Sequence, residues 1–134
     1  MVLNWISMPT NILVVDDEPS IVDTVSAIFE AAGYNTSCAY SGEEAIAKAR
    51  ECRPNLLLCD IMMPDLNGFQ VALRIKTAFP ECRIVFFSAH TPRTKLWLQE
   101  FDPEFAGNDY PFDFLAKPIN PGLLLQKVQE ALQS

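Results

Sequence analysis

One histidine, no C-x-x-C pair among four cysteines, no two adjacent basic residues and no apolar run approaching a bilayer span mark what this 134-residue sequence does without. Ten scattered Lys and Arg stand against seventeen Asp and Glu, for a formal net charge of −7. That balance excludes an intrinsic nucleic-acid surface, which needs clustered positive charge. The cysteine spacing carries no metal signal. Cys38, Cys52, Cys59 and Cys82 are expected as buried, reduced thiols of a cytoplasmic protein. The first ten residues carry no basic group and only a short, broken apolar run, so they do not read as a signal peptide. With no span long enough to cross a bilayer, no membrane role is expected. Linkers, internal repeats and low-complexity stretches are also missing. What is present is an apolar content of 49%, enough for one ordinary domain with its own core. Residues 1–9 are expected to form an N-terminal extension, with Met8 as an alternative start, and 10–134 a single domain.

Two apolar runs end in acid: Asn11-Ile-Leu-Val-Val-Asp16-Asp17 and Asn55-Leu-Leu-Leu-Cys-Asp60. Such runs suit strands buried on both faces of a parallel sheet, and an acid at the carboxyl end then lies where open α/β sheets bind ligands. Along the chain strand and helix alternate five times. Pro19 opens a first helix, with Ile21, Val25, Ile28 and Ala32 expected inward and Gly33 as its stop. Tyr34 to Tyr40 is the second strand, and Ser41-Gly-Glu-Glu44 has capping-box spacing before a helix carrying Ala45, Ile46 and Ala49 inward. A loop from Ile61 to Gly68 leads to a helix bearing Val71, Ile75 and Ala78. Arg83 to Ala89 and Asp113 to Lys117 are the last two strands, and Asn120-Pro121 caps a final helix with Leu124, Val128, Ala131 and Leu132 inward. Strand–helix alternation implies an α/β parallel sheet with helices on both faces, and right-handed crossovers leave few topologies. Of the known doubly wound orders, the flavodoxin-like 2-1-3-4-5 for five strands is the one adopted as the expectation. That order brings Asp16, Asp17 and Asp60 to one edge. Carboxylates in contact repel by about 1–4 kcal/mol per pair, so the cluster calls for a hard divalent cation.

Ser88 and Lys117 close the fourth and fifth strands, adding a hydroxyl and an ammonium to three carboxylates. The set suits phosphoryl chemistry: a carboxylate as nucleophile, a cation to offset charge, lysine and hydroxyl to hold phosphoryl oxygens. Val14-Val15-Asp16-Asp17-Glu18-Pro19, Asp60-Ile-Met-Met63-Pro64 with Gly68, Ser88-Ala89 and Lys117-Pro118 together resemble the receiver domains of bacterial two-component response regulators. The resemblance implies a phosphorylation switch rather than an enzyme acting on outside substrates. It implies Asp60 as phosphoacceptor, and Mg2+ held by Asp17, Asp60, the Met62 backbone carbonyl and, through water, Asp16. It implies Ser88 and Lys117 as phosphoryl ligands, a cis Lys117-Pro118 bond, and Phe114 as the aromatic that moves inward when Ser88 is drawn to the phosphoryl group. A core phenylalanine is the competing account of Phe114. By the same resemblance, Met62 and His90 tune dephosphorylation, against a plain loop histidine. The implied partners are a sensor histidine kinase or phosphotransfer protein as donor, and a protein target at the family's fourth-helix, fifth-strand and fifth-helix face. That face is also a possible homodimer surface.

Ser88 and Lys117 lie 29 positions apart, several more than the family usually has, and five aromatics fall from Trp97 to Phe112. Apolar groups in such a lengthened segment are either packed locally or offered to a partner. No DNA-binding or enzymatic output segment is expected after Lys127 to Ser134, so output is expected through protein contact or as part of a larger regulator. Two rivals remain. A pseudo-receiver would bind partners constitutively. An aspartyl-phosphate-forming hydrolase would carry a second Asp two residues after its nucleophile, where this chain has Met62.

Overall fold

The computed structural model describes residues 10–88 and 112–133. Its elements in chain order are β1 (Asn11–Val15), α1 (Pro19–Ala31), β2 (Asn35–Ala39), α2 (Gly42–Cys52), β3 (Leu56–Asp60), α3 (Gly68–Ala78), β4 (Arg83–Ser88), β5 (Phe112–Ala116) and α4 (Pro121–Gln133). All pairings are parallel and the strand order is β2-β1-β3-β4-β5, the flavodoxin-like order expected. His90, residues 1–9 and the segment from Trp97 to Tyr110 lie outside the described residues, as does the family's fourth-helix position; α4 corresponds to its fifth.

Two cores sandwich the sheet. Because side chains alternate along a strand, Leu13, Val15, Leu57, Cys59, Ile84 and Phe86 face α2 and α3, packing on Ala45, Ala49, Phe69, Val71 and Ile75. Ile12, Val14, Leu56, Leu58, Val85 and Phe87 face α1 and α4, packing on Val22, Val25, Phe29, Leu124 and Val128. Every residue of β3 is buried, which explains its unbroken apolar run. Among the described residues no helix is long and apolar enough to cross a membrane.

The helices depart from expectation in three places, two faces and one cap. α1 buries Val22, Val25, Ser26 and Phe29; Ile21 and Ile28 only flank that face and Ala32 is exposed. The helix carries an apolar arc wider than one stripe, and the bulky Phe29 ring, edge-on to Tyr34 at 5.9 Å, takes the centre. In α3, Phe69 and Ala72 turn inward while Ala78 is exposed. Ser41 does cap α2, accepting from the Glu44 amide at 3.1 Å, but the reciprocal box forms instead at α3, between Asn67 and Gln70. Strand ends shift little: β5 stops at Ala116, with Lys117 just beyond it, and Lys117-Pro118 is cis.

Phe29 is fully buried. Phe29→Ala is expected to cost about 3–5 kcal/mol of stability by transfer and cavity effects, read by urea unfolding. A loss below 1 kcal/mol would mean the site collapses around the deletion.

Candidate functional site

Parallel pairing puts all strand carboxyl ends at one pole. β1 and β3 are hydrogen-bonded neighbours, with Val15 opposite Cys59, so the residues following them are adjacent. Oxygens of Asp16, Asp17 and Asp60 lie within 4.8 Å of one another. Asp16 is fully buried and Asp60 is 5% exposed, while Asp17 faces solvent. The donor set is entirely hard oxygen, the chemistry of Mg2+ rather than of a soft metal.

Lys117 is brought to this cluster by β5. Its backbone amide donates to the Ser88 carbonyl at 2.9 Å, continuing the β4–β5 ladder past the strand end. Its Nζ lies 2.9 Å from Asp16 Oδ2 and 3.6 Å from Asp60 Oδ1. The ammonium also stands over the Phe87 ring, 4.9 Å from its centroid, a partner that sequence reasoning overlooked. Three carboxylates and one ammonium leave two negative charges at the pole, which one divalent cation would neutralise.

The electrostatics follow from that imbalance. Burial pushes the Asp16 carboxyl up from its ordinary range; the hydrogen bonds from Lys117 and the Glu18 amide offset this only in part. Burial, then the neighbouring Asp16 charge, raise Asp60 from 3.8 to about 6, against the pull of Lys117 and of the Met62 backbone N–H. For Lys117, burial opposes the charged form, but the hydrogen bond to Asp16 and the charges of Asp60 and Asp16 outweigh it and raise its pKa. Asp16, Asp60 and Lys117 therefore hold protons more tightly than free side chains do.

Ser88 is buried at the end of β4, one residue beyond Phe87, which is the register partner of Asp60. Phe114 is half-buried on the α2–α3 side of the sheet and packs on Phe86, with ring centroids 5.6 Å apart. The Met62 side chain is 58% exposed at the rim. The loop from β3 to α3 is closed tightly: the Gly68 amide donates to the Ile61 carbonyl at 2.8 Å. The Asp65 carboxylate also accepts from the Gly42 and Glu43 amides at 3.1 and 3.0 Å. Slight burial opposes its ionisation, but the amides of Leu66, Glu43, Gly42 and Asp65 itself outweigh this and lower its pKa. Asp65 was not singled out from sequence. Its partners lie more than twenty positions away, and no local pattern announces them.

The model of the response regulator receiver domain family matches residues 12–129. The DNA-binding response regulator MtrA of Mycolicibacterium smegmatis is 32% identical over 127 residues, covering 95% of this chain and 52% of that protein. Response regulator SaeR of Staphylococcus aureus is 31% identical over 123 residues, covering 92% and 50%. The chain thus spans about half the length of these curated relatives. Among solved structures, a CheY-like receiver domain protein from Methanospirillum hungatei superimposes with TM-score 0.79 at 28% identity, covering 94% of this chain and 95% of that one. Chemotaxis protein CheY4 of Vibrio cholerae gives TM-score 0.79 at 28% identity, covering 92% and 99%.

Proposed function

The chain belongs to the response regulator receiver domain family, and from that premise we propose that it is a phosphorylation switch whose acceptor is Asp60. What supports the assignment is the position of this carboxylate: at the end of β3, nearly buried, beside two other carboxylates and 3.6 Å from the Lys117 ammonium. An Asp60 oxygen attacks the phosphorus of a phosphohistidine. The phosphorus–nitrogen bond breaks, the imidazole leaves with a proton, and an acyl phosphate forms. Later, water attacks the phosphorus, inorganic phosphate departs and the carboxylate is restored.

Mg2+ is the cofactor proposed, held by Asp17, Asp60, the Met62 carbonyl and, through water, Asp16; when bound it neutralises charge on carboxylates and phosphoryl oxygens. Lys117 already bridges Asp16 and Asp60, so its ammonium stands ready for a phosphoryl oxygen. Ser88 supplies a hydroxyl donor. As Ser88 is drawn in, Phe114 turns toward the space it leaves, which alters the surface formed by β5 and α4. The donor is a sensor histidine kinase or phosphotransfer protein, and the output is a protein target or a second copy of the chain at that surface. MtrA is DNA-binding by name; this chain's net charge of −7 gives no reason to carry that property over.

The test is intact-mass measurement after incubation with a small phosphoramidate and Mg2+. One phosphoryl group per chain is expected, and none when the cation is removed by chelation. No mass gain with Mg2+ present would sink the switch in favour of a constitutive binding module. Sustained turnover of small phosphoesters would favour a hydrolase.

A further inference from the structure

We propose that Asp65 is a positioning residue for the phosphorylation pole, tying the β3–α3 loop to the N-terminus of α2 and so fixing the Met62 backbone beside Asp60. The inference rests on the assignment of Asp17, Asp60 and Met62 as the cation site.

The first amides of a helix have no partner within it. At α2 these are satisfied from two sources. Ser41, the helix's own cap, takes the Glu44 amide, while Asp65, arriving from the loop after β3, takes those of Gly42 and Glu43 with one oxygen each. A carboxylate suits this place because the helix N-terminus carries partial positive charge. The clamp is reinforced by packing: a Cβ added to Gly42 would fall 2.7 Å from Leu66 Cβ and 2.9 Å from Val71 Cγ2, so helix and loop are in direct contact.

Met62 lies between two anchors. On the β3 side, Gly68 holds the Ile61 carbonyl at 2.8 Å; on the other, Asp65 holds α2. The exposed Met62 side chain packs too little to fix its own backbone. Yet that backbone lies only two residues beyond Asp60, and its amide favours the ionised Asp60 carboxylate. The loop's outer anchor therefore governs how firmly the acceptor and its neighbouring carbonyl are held.

The test is calorimetric Mg2+ titration of the wild type, Asp65→Ala, Asp65→Asn and Ser41→Ala, with urea unfolding and amide hydrogen exchange in parallel. Asp65→Ala is expected to weaken Mg2+ binding about tenfold, the lower end of what loss of a group supporting metal ligands costs. Asp65→Asn, which keeps one acceptor oxygen, is expected to weaken it less. The Met62 amide is expected to exchange faster in Asp65→Ala. Ser41→Ala uncaps the same helix without touching the loop, so it is expected to lower stability and leave Mg2+ affinity and Met62 exchange unchanged. Unchanged affinity in Asp65→Ala, or equal weakening in Ser41→Ala, would overturn the proposal. A wild type that does not bind Mg2+ would instead remove the cation-site assignment, and this inference with it.

Discussion

Asp60→Asn is expected to abolish phosphorylation while making the metal-free protein more stable at pH 7. The first effect is chemical: the amide that replaces the carboxylate is no nucleophile, so intact mass after phosphoramidate treatment should show no adduct. A residual phosphoryl group would place the acceptor elsewhere. The second effect is electrostatic. Asp60 holds its proton with a pKa of about 6, against an ordinary 3.8, chiefly through burial and then through the Asp16 charge. A carboxyl bound to its proton more tightly in the folded state stabilises at low pH, and that contribution is lost as pH rises from about 4 to about 6. At pH 7 the ionised group opposes folding by about 1–2 kcal/mol, after discounting for solvent at the mouth of the site. Urea unfolding in chelator should show the variant ahead by that amount at pH 7 and level with the wild type near pH 4. A destabilised variant at pH 7 would show that Asp60's contacts outweigh its repulsion. Mg2+ should reverse the order, since it favours the wild-type carboxylate.

Gly68→Ala is expected to damage stability and phosphorylation together. A methyl group there would fall inside contact distance of the Asp60 carbonyl oxygen, 2.9 Å from Ile61 Cα and 3.1 Å from the Asp60 carbonyl carbon. All three are backbone atoms and cannot rotate aside, so the acceptor's own main chain must move. Overpacking of this kind costs about 1–3 kcal/mol. A misplacement near 1 Å costs on the order of 100-fold in rate, so phosphorylation should fall by tens of fold even in fully folded protein. Gly33→Ala is the control. Its φ of +94° makes alanine strained, yet nothing lies within 4 Å of the added carbon, and α1 ends there at the opposite pole of the sheet. That variant should lose about 1 kcal/mol and phosphorylate normally. Equal phosphorylation rates in the two variants would refute the argument from close approach.

Much of this was legible in the sequence because the signals are local and redundant. Four apolar residues running into Asp16 or Asp60 mark both a buried strand and its carboxyl end, and alternation with helices marks a parallel sheet, whose order comes from the known doubly wound folds. Periodicity failed where a helix is apolar over too wide an arc: in α1 it favoured Ile21, Ile28 and Ala32 over Val22 and Phe29, since ring size and neighbour shape, not spacing, decide which residue takes the centre. Cap chemistry was ambiguous for a related reason. Ser41-x-x-Glu44 and Asn67-x-x-Gln70 share the spacing of a reciprocal cap, and only the second closes; at the first, Ser41 caps one way and Asp65 takes the amides of Gly42 and Glu43. Contacts across more than twenty positions leave no trace in a local pattern.

The 2.9 Å bond between Lys117 and Asp16 joins residues 101 positions apart. A ribosome extruding this chain delivers all three acids long before their ammonium partner. Until residue 117 clears the exit tunnel, Asp16 and Asp60 lack the ammonium that faces them in the folded chain. A product truncated before β5 would keep Asp16 and Asp60 but lose the lysine whose ammonium faces both.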